Sequence, residues 1–168
     1  MRFTLIDRIL ELKPGDEITA IKSLSLSEDY LADHFPLFPV LPGVFMLEAM
    51  TQASAWLIRY SEDFANSVVI LKEARNVKYS NFVEPGSTLT LTAKWLKNDE
   101  RTVTFKTQGE VDGELHVSAR LVLERYNLAD TNPDEEPNDQ SAIDDLKSLF
   151  SQLYRPRAIP APVGDARG

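Results

Sequence analysis

Two residue types suited to moving protons, His34 and Glu48, flank a proline-rich segment that ends in Gly43. An imidazole titrates near pH 6.5, so His34 is able to accept a proton at neutral pH. Glu48 falls in a run, residues 44–60, where Val44, Phe45, Met46, Leu47, Ala49, Met50, Ala53, Ala55, Trp56, Leu57 and Ile58 leave almost no polar face. A carboxyl in such surroundings must be paired, protonated or useful, and desolvation keeps an acid protonated and able to donate. Gln52 lies one turn after Glu48, on a face otherwise filled by Val44, Thr51 and Ala55. Gly43, at the start of the run, lets another group approach the backbone closely, and the unpaired N–H groups of a helix start would polarise a carbonyl oxygen placed there. Each feature alone has a plain structural reading: a satisfied structural histidine, a buried ion pair, a rigid connector. Together, a base, a polarising helix start and an acid point to removal of a proton beside a carbonyl and donation of a proton to a leaving group.

These groups must be positioned by the elements around them. The run at 44–60 predicts one helix, apolar nearly all round and therefore internal. Before it, residues 4–12 and 17–25 read as two strands joined by the turn Lys13-Pro14-Gly15-Asp16. After it, strands are expected at 68–71, 76–79, 87–97, 101–110 and 114–125, separated by Pro-Gly, Asn-Asp and Asp-Gly turn signals. A hairpin, one buried helix and a run of antiparallel strands predict an α+β fold whose sheet wraps around that helix. Residues 127–140 are polar and acidic and are expected to be a flexible linker. Residues 141–154 repeat apolar side chains at helical spacing (Ile143, Leu146, Leu149, Phe150, Leu153), with Asp139 or Ser141 as N-cap and Pro156 as a stop. That short amphipathic helix would pack back on its own domain or dock a partner, and the Pro-, Ala- and Gly-rich end would fray.

Composition removes several functions. The 168 residues carry 18 Lys and Arg against 26 Asp and Glu, a net charge of −8 that repels a phosphate backbone and argues against nucleic acid. With no cysteine and two histidines, thiolate nucleophiles, disulfides and Cys- or His-rich metal sites are not expected. No apolar run approaches the length of a membrane span, and a cytoplasmic protein is expected.

The string HFPLFPVLPGVFMLEAMTQA, from His34 to Ala53, resembles the signature of the β-hydroxyacyl-[acyl-carrier-protein] dehydratases of type II fatty-acid synthesis, which have the hotdog fold. The resemblance extends through LIDRILELKPGDEITAIKSLS, VKYSNFVEPGSTLTL and GEVDGELHVSARLVL, covering residues 4–125. With the shift in charge and proline content near Tyr126, the chain divides into a dehydratase-like domain at 1–126, the linker at 127–140 and the helix and tail at 141–168. It implies dehydration of a β-hydroxyacyl thioester on acyl carrier protein to a trans-2-enoyl thioester, with neither metal nor diffusible cofactor. The family's base falls on His34, its acid on Glu48, the carbonyl-polarising N–H on Gly43, and the acid's hydrogen-bonding neighbour on Gln52. In the family the base and acid of one site come from opposite subunits, which implies a homodimer, alone or in a trimer of dimers. An acidic carrier would meet local bases, with Lys72, Arg75 and Lys78 as candidates. Leu37 and Asp33 stand where glycine is usual, so Leu37 could narrow the site and Asp33 could raise the His34 pKa; Phe82 replaces a usual proline. A thioesterase, or a non-catalytic acyl-binding module suggested by Leu37 and the tail, are the alternatives.

Overall fold

A computed structural model describes residues 3–35 and 37–155. Strands β1 (Arg8–Lys13) and β2 (Glu17–Ser23) form a hairpin. The short α1 (Tyr30–Asp33) and the long α2 (Gly43–Ser61) follow, and then β3 (Val68–Tyr79), β4 (Thr88–Asn98), β5 (Thr102–Val111) and β6 (Glu114–Tyr126). All six strands pair antiparallel in the order β1-β2-β4-β5-β6-β3, so β1 and β3 are the edges.

Helix α2 crosses the concave face of this sheet and packs on β2 through β6. Ala49 and Ala53 bring its backbone close, while Met50, Leu57 and Ile58 interleave with Leu89, Leu91, Phe105, Leu121 and Leu123, all essentially fully buried. Strand alternation puts those residues inward and Thr90, Thr92, Lys94, Lys106, Ser118 and Arg120 outward. Asp112 (φ 51°) and Gly113 (φ 83°) supply the left-handed pair that a two-residue hairpin between β5 and β6 requires.

Two strands expected separately, 68–71 and 76–79, are one strand, β3. The intervening Lys72, Glu73 and Arg75 break the apolar alternation, but pairing with β6 carries the strand through, with irregularities at Leu71/Glu73 and Arg75/Lys78. An edge strand tolerates such charges because one of its sides faces water.

The expected flexible linker at 127–140 is instead ordered. It forms two 3-10 turns, Leu128–Asp130 and Pro133–Glu135, and the first residues of α3 (Glu136–Leu153). Two of its acids, Asp130 and Asp139, accept backbone N–H groups, and Asn127 does the same. Asn127 Oδ1 accepts from Ser67 N at 2.8 Å, and the Asp139 carboxylate accepts from Leu128 N and Ala129 N at 2.9 Å each and from Ser67 Oγ. Asp139 therefore lies inside the helix and is buried rather than capping it. Pro156 and the expected frayed end lie outside the described residues.

Helix α3 packs back on its own domain. Phe150 stacks on Tyr60 (5.2 Å, 28°) and meets Trp56 and Phe64, while Tyr154 bridges to Ile9 of β1. Burial pushes the Asp139 carboxyl up, but the bonds from Ser67, Ala129 and Leu128 outweigh it and hold the group below its ordinary 3.8. A depressed carboxylate stabilises the fold at pH values above its unfolded-state pKa, and that contribution disappears as pH falls through the lower folded value. Asp139→Asn is accordingly expected to remove part of the loss in melting temperature on acidification below about 3.8. Parallel pH profiles for variant and wild type would contradict this.

Candidate active site

The segment leading to His34 is fixed at several points. Lys22 of β2 is buried, and its Nζ lies 2.6 Å from Glu28 Oε1 and 3.6 Å from Asp7 Oδ2. Tyr30 sets its ring edge-on to Phe45 of α2 at 4.8 Å. Burial, with the nearby carboxylates of Glu28 and Asp7, raises the Tyr30 hydroxyl far above its ordinary value. His34 N–H donates to Tyr30 O at 3.1 Å, ending α1. The chain then turns sharply at Phe35, whose φ of 53° is unusual for a residue with a side chain and whose ring lies 4.3 Å from the imidazole.

The imidazole is exposed to solvent on one side and lines a cavity of about 250 Å³ at the N-terminus of α2. Its wall is largely apolar and includes Phe35, Gly43, Met46, Tyr79 and Phe82. Pro42 precedes the helix, so the first N–H groups, at Gly43 and Val44, have no carbonyl within the helix to bond. Gly43 lies close under the Tyr79 ring: a Cβ there would meet Tyr79 Cε1 at 3.1 Å, so the ring or the helix start would have to give by a few tenths of an ångström. Burial pushes the Tyr79 hydroxyl up. Phe82 of the cavity wall packs perpendicular to Phe38 at 5.6 Å. Leu37 is 100% exposed and does not line the cavity, so within a single chain it does not narrow the site.

Glu48 and Gln52 are brought together with each other, on another side of α2. At 100° per residue, Glu48 lies roughly 140° around the helix from Gly43. Gln52 is held at three points: its Oε1 accepts from Leu5 N at 2.9 Å, and its Nε2 donates to Phe3 O and to Glu48 Oε1 at 3.0 Å each. Among the described residues, Glu48 Oε2 makes no hydrogen bond. The sequence places Glu48 and Gln52 in a run with almost no polar face, but neither is enclosed. Both are half-buried, on a stripe that opens at exposed Val44, whereas Thr51 and Ser54 are the fully enclosed pair and satisfy themselves on the carbonyls of Leu47 and Met50. Within one chain, then, His34 and Gly43 share a cavity, and Glu48 and Gln52 are not part of its lining.

Of the docking candidates, Lys72 pairs with Glu124 at 3.0 Å and Arg75 with Glu73, while Lys78 has no ion-pair partner among the described residues. Sequence reasoning did not single out Tyr79, whose alternation in an edge strand marks no special role; only the tertiary approach to Gly43 does.

The model of the FabA-like domain family matches residues 1–120. The 3-hydroxyacyl-[acyl-carrier-protein] dehydratase FabZ of Shewanella loihica is 35% identical over 130 residues, covering 76% of this chain and 85% of that protein. The protein of the same name from Lactococcus lactis subsp. cremoris is 36% identical over 121 residues, covering 72% and 83%. Among solved structures, the dehydratase heterocomplex ApeI:P from Xenorhabdus doucetiae superposes with a TM-score of 0.62 at 23% identity, covering 75% of this chain and 85% of that one. A Streptococcus mutans protein bound to acetyl CoA superposes at 0.58 with 12% identity, covering 74% and 92%. The six-stranded antiparallel sheet around a long helix is the hotdog fold.

Proposed function

The chain belongs to the FabA-like domain family, and from that premise we propose how its residues carry out the reaction. The protein is a 3-hydroxyacyl-[acyl-carrier-protein] dehydratase, a hydro-lyase of fatty-acid biosynthesis acting on a carrier-bound thioester. The observation that carries the residue assignment is that His34 and Gly43, whose N–H has no carbonyl within the helix to bond, line one largely apolar cavity.

The thioester carbonyl accepts a hydrogen bond from Gly43 N–H, at the positive end of α2, which stabilises the negative charge that develops as the neighbouring carbon loses its proton. His34 takes that proton from C2. The C2–H electrons form the C2=C3 double bond, the C3–O bond breaks, and the departing hydroxyl takes a proton from Glu48 to leave as water. His34 ends protonated and Glu48 ionised, and transfer of one proton back through solvent resets both. Gln52, fixed by Leu5 and Phe3, holds one oxygen of Glu48 and leaves the other to face the substrate.

The acid that serves His34 comes from a second copy of the chain, making a homodimer the working unit. Three features support this reading: Glu48 is absent from the lining of its own chain's cavity, Val44 on its stripe is exposed, and the twelve-residue β3 has an unpaired outer edge. We place the reaction in the cytoplasm with its carrier; no helix among the described residues is long and apolar enough to cross a membrane.

The test is product identity from a β-hydroxyacyl carrier thioester. An enoyl thioester is expected; free carrier thiol would assign a thioesterase, and binding without turnover a non-catalytic module. Gly43→Ala is expected to lower kcat/KM about tenfold, because the added methyl displaces the donor against Tyr79 without deleting it. A Tyr79→Leu change in the same chain should recover part of the loss. Unchanged kinetics for Gly43→Ala would exclude the donor role.

A further inference from the structure

Gln52 holds the acid, and it is itself oriented from outside its helix. A carboxamide offers one accepting oxygen and two N–H donors, and here all of them are engaged. Leu5 N–H can only donate, so it selects Oε1, at 2.9 Å, and Nε2 is left to donate to Phe3 O and to Glu48 Oε1, at 3.0 Å each. With one N–H held by Phe3 O, the other is aimed at Glu48. Since Gln52 donates to Glu48 Oε1, that oxygen acts as the acceptor, and the proton of the neutral acid belongs on Oε2.

Phe3 and Leu5 precede β1 in a segment that is neither strand nor helix, so side chains set its course. Leu5 and Ile6 are fully buried in the core, and Asp7 Oδ2 accepts from Ser23 N at 2.6 Å. Ahead of Leu5 the hold is the Phe3 ring. It tilts against Phe45 of α2 at 4.8 Å and meets Tyr30 of α1 edge-on at 6.1 Å, while Tyr30 and Phe45 are edge-on to each other at 4.8 Å. Phe45 stands three residues before Glu48 on α2, and Tyr30 O accepts the His34 N–H. The three rings thus join the segment that carries the base to the strap that orients the acid.

We propose that Phe3 is a positioning residue for the acid: its ring, wedged against Tyr30 and Phe45, fixes the carbonyl that orients Gln52 and, through Gln52, the Glu48 carboxyl. The proposal rests on the assignment of Glu48 as the acid given above. A half-exposed ring has a plainer use in covering apolar surface, and the experiment separates the two.

The experiment measures kcat and KM for wild type, Phe3→Ala, Gln52→Ala and the double variant on a β-hydroxyacyl N-acetylcysteamine thioester, below the melting transition of each. Phe3→Ala is expected to lower kcat about tenfold with KM within about twofold, because a misplaced catalytic group costs rate more than binding. Phe3→Tyr, which keeps the ring, should recover most of the loss. If Phe3 acts through Gln52, its substitution adds nothing once Gln52 is gone, so the double variant should match Gln52→Ala alone. Losses that multiply would overturn the proposal and reduce the ring to packing. A wild-type kcat in Phe3→Ala would overturn it as well, and a raised KM with kcat unmoved would place Phe3 in substrate binding instead. Independently of turnover, the Gln52 side-chain amide should give an exchange-protected NMR signal in wild type and lose that protection in Phe3→Ala; equal protection in both overturns the link. Failure of wild type on this thioester and on its carrier-linked form would overturn the dehydratase reading, while the amide signal would still test whether Phe3 fixes Gln52.

Discussion

Mixing two inactive variants, His34→Ala and Glu48→Gln, after unfolding and refolding together, is expected to restore about a quarter of wild-type dehydration, because half of the dimers then combine the two chains and each has one intact site. Each variant alone should lose about 10²- to 10⁴-fold in kcat, the usual contribution of a positioned acid or base. The expectation follows from the helix. His34 sits at the entrance to α2 and Glu48 on a stripe turned away from the cavity, next to exposed Val44, so one chain keeps base and acid apart. In the proposed dimer, a second chain set against that stripe would supply the missing carboxyl, with Gln52 holding it as it does within one chain. Mixed variants that stay as inactive as their parents would show that base and acid belong to one chain and would remove the shared site.

Phe150→Ala is expected to destabilise the fold by about 2–3 kcal/mol, somewhat below the usual loss for a fully buried phenylalanine because this ring is only partly enclosed. At roughly 2–4 °C per kcal/mol for a chain of this size, melting should fall by about 5–10 °C. Phe150 joins Tyr60, Trp56 and Phe64 into one aromatic group and so ties α3 to the C-terminal end of α2. The His34 cavity is at the other end, across a 19-residue helix, so kcat below the transition should be unaltered. A variant that melts with wild type would reduce α3 to an appendage.

How much was readable beforehand differs from element to element. The strands of the β4–β6 meander follow from two-residue alternation, and α2 from a continuous apolar run, because both patterns report which side chains must leave water. The Lys72–Arg75 stretch concealed the continuity of β3, since an edge strand obtains its regularity from the neighbour it pairs with and not from its own pattern. The 127–140 segment looked disordered for a related reason. Composition counts its acids as solvated, whereas Asp139 and Asn127 spend their oxygens on the backbone N–H groups of Leu128, Ala129 and Ser67.

From its amino-acid order alone the protein carries its family signature, His34 to Ala53, and within it the imidazole, the glycine and the carboxyl of the proposed site, all in one short stretch of chain. Folding decided which of them meet. Whether Glu48 faces the cavity of its own chain depends on the rotation of α2 over the sheet. Whether α3 belongs to the core depends on a carboxylate reaching Ser67 across the fold. Those are distances between residues remote in sequence, and periodicity, which reports only the environment of each side chain, contains no term for them.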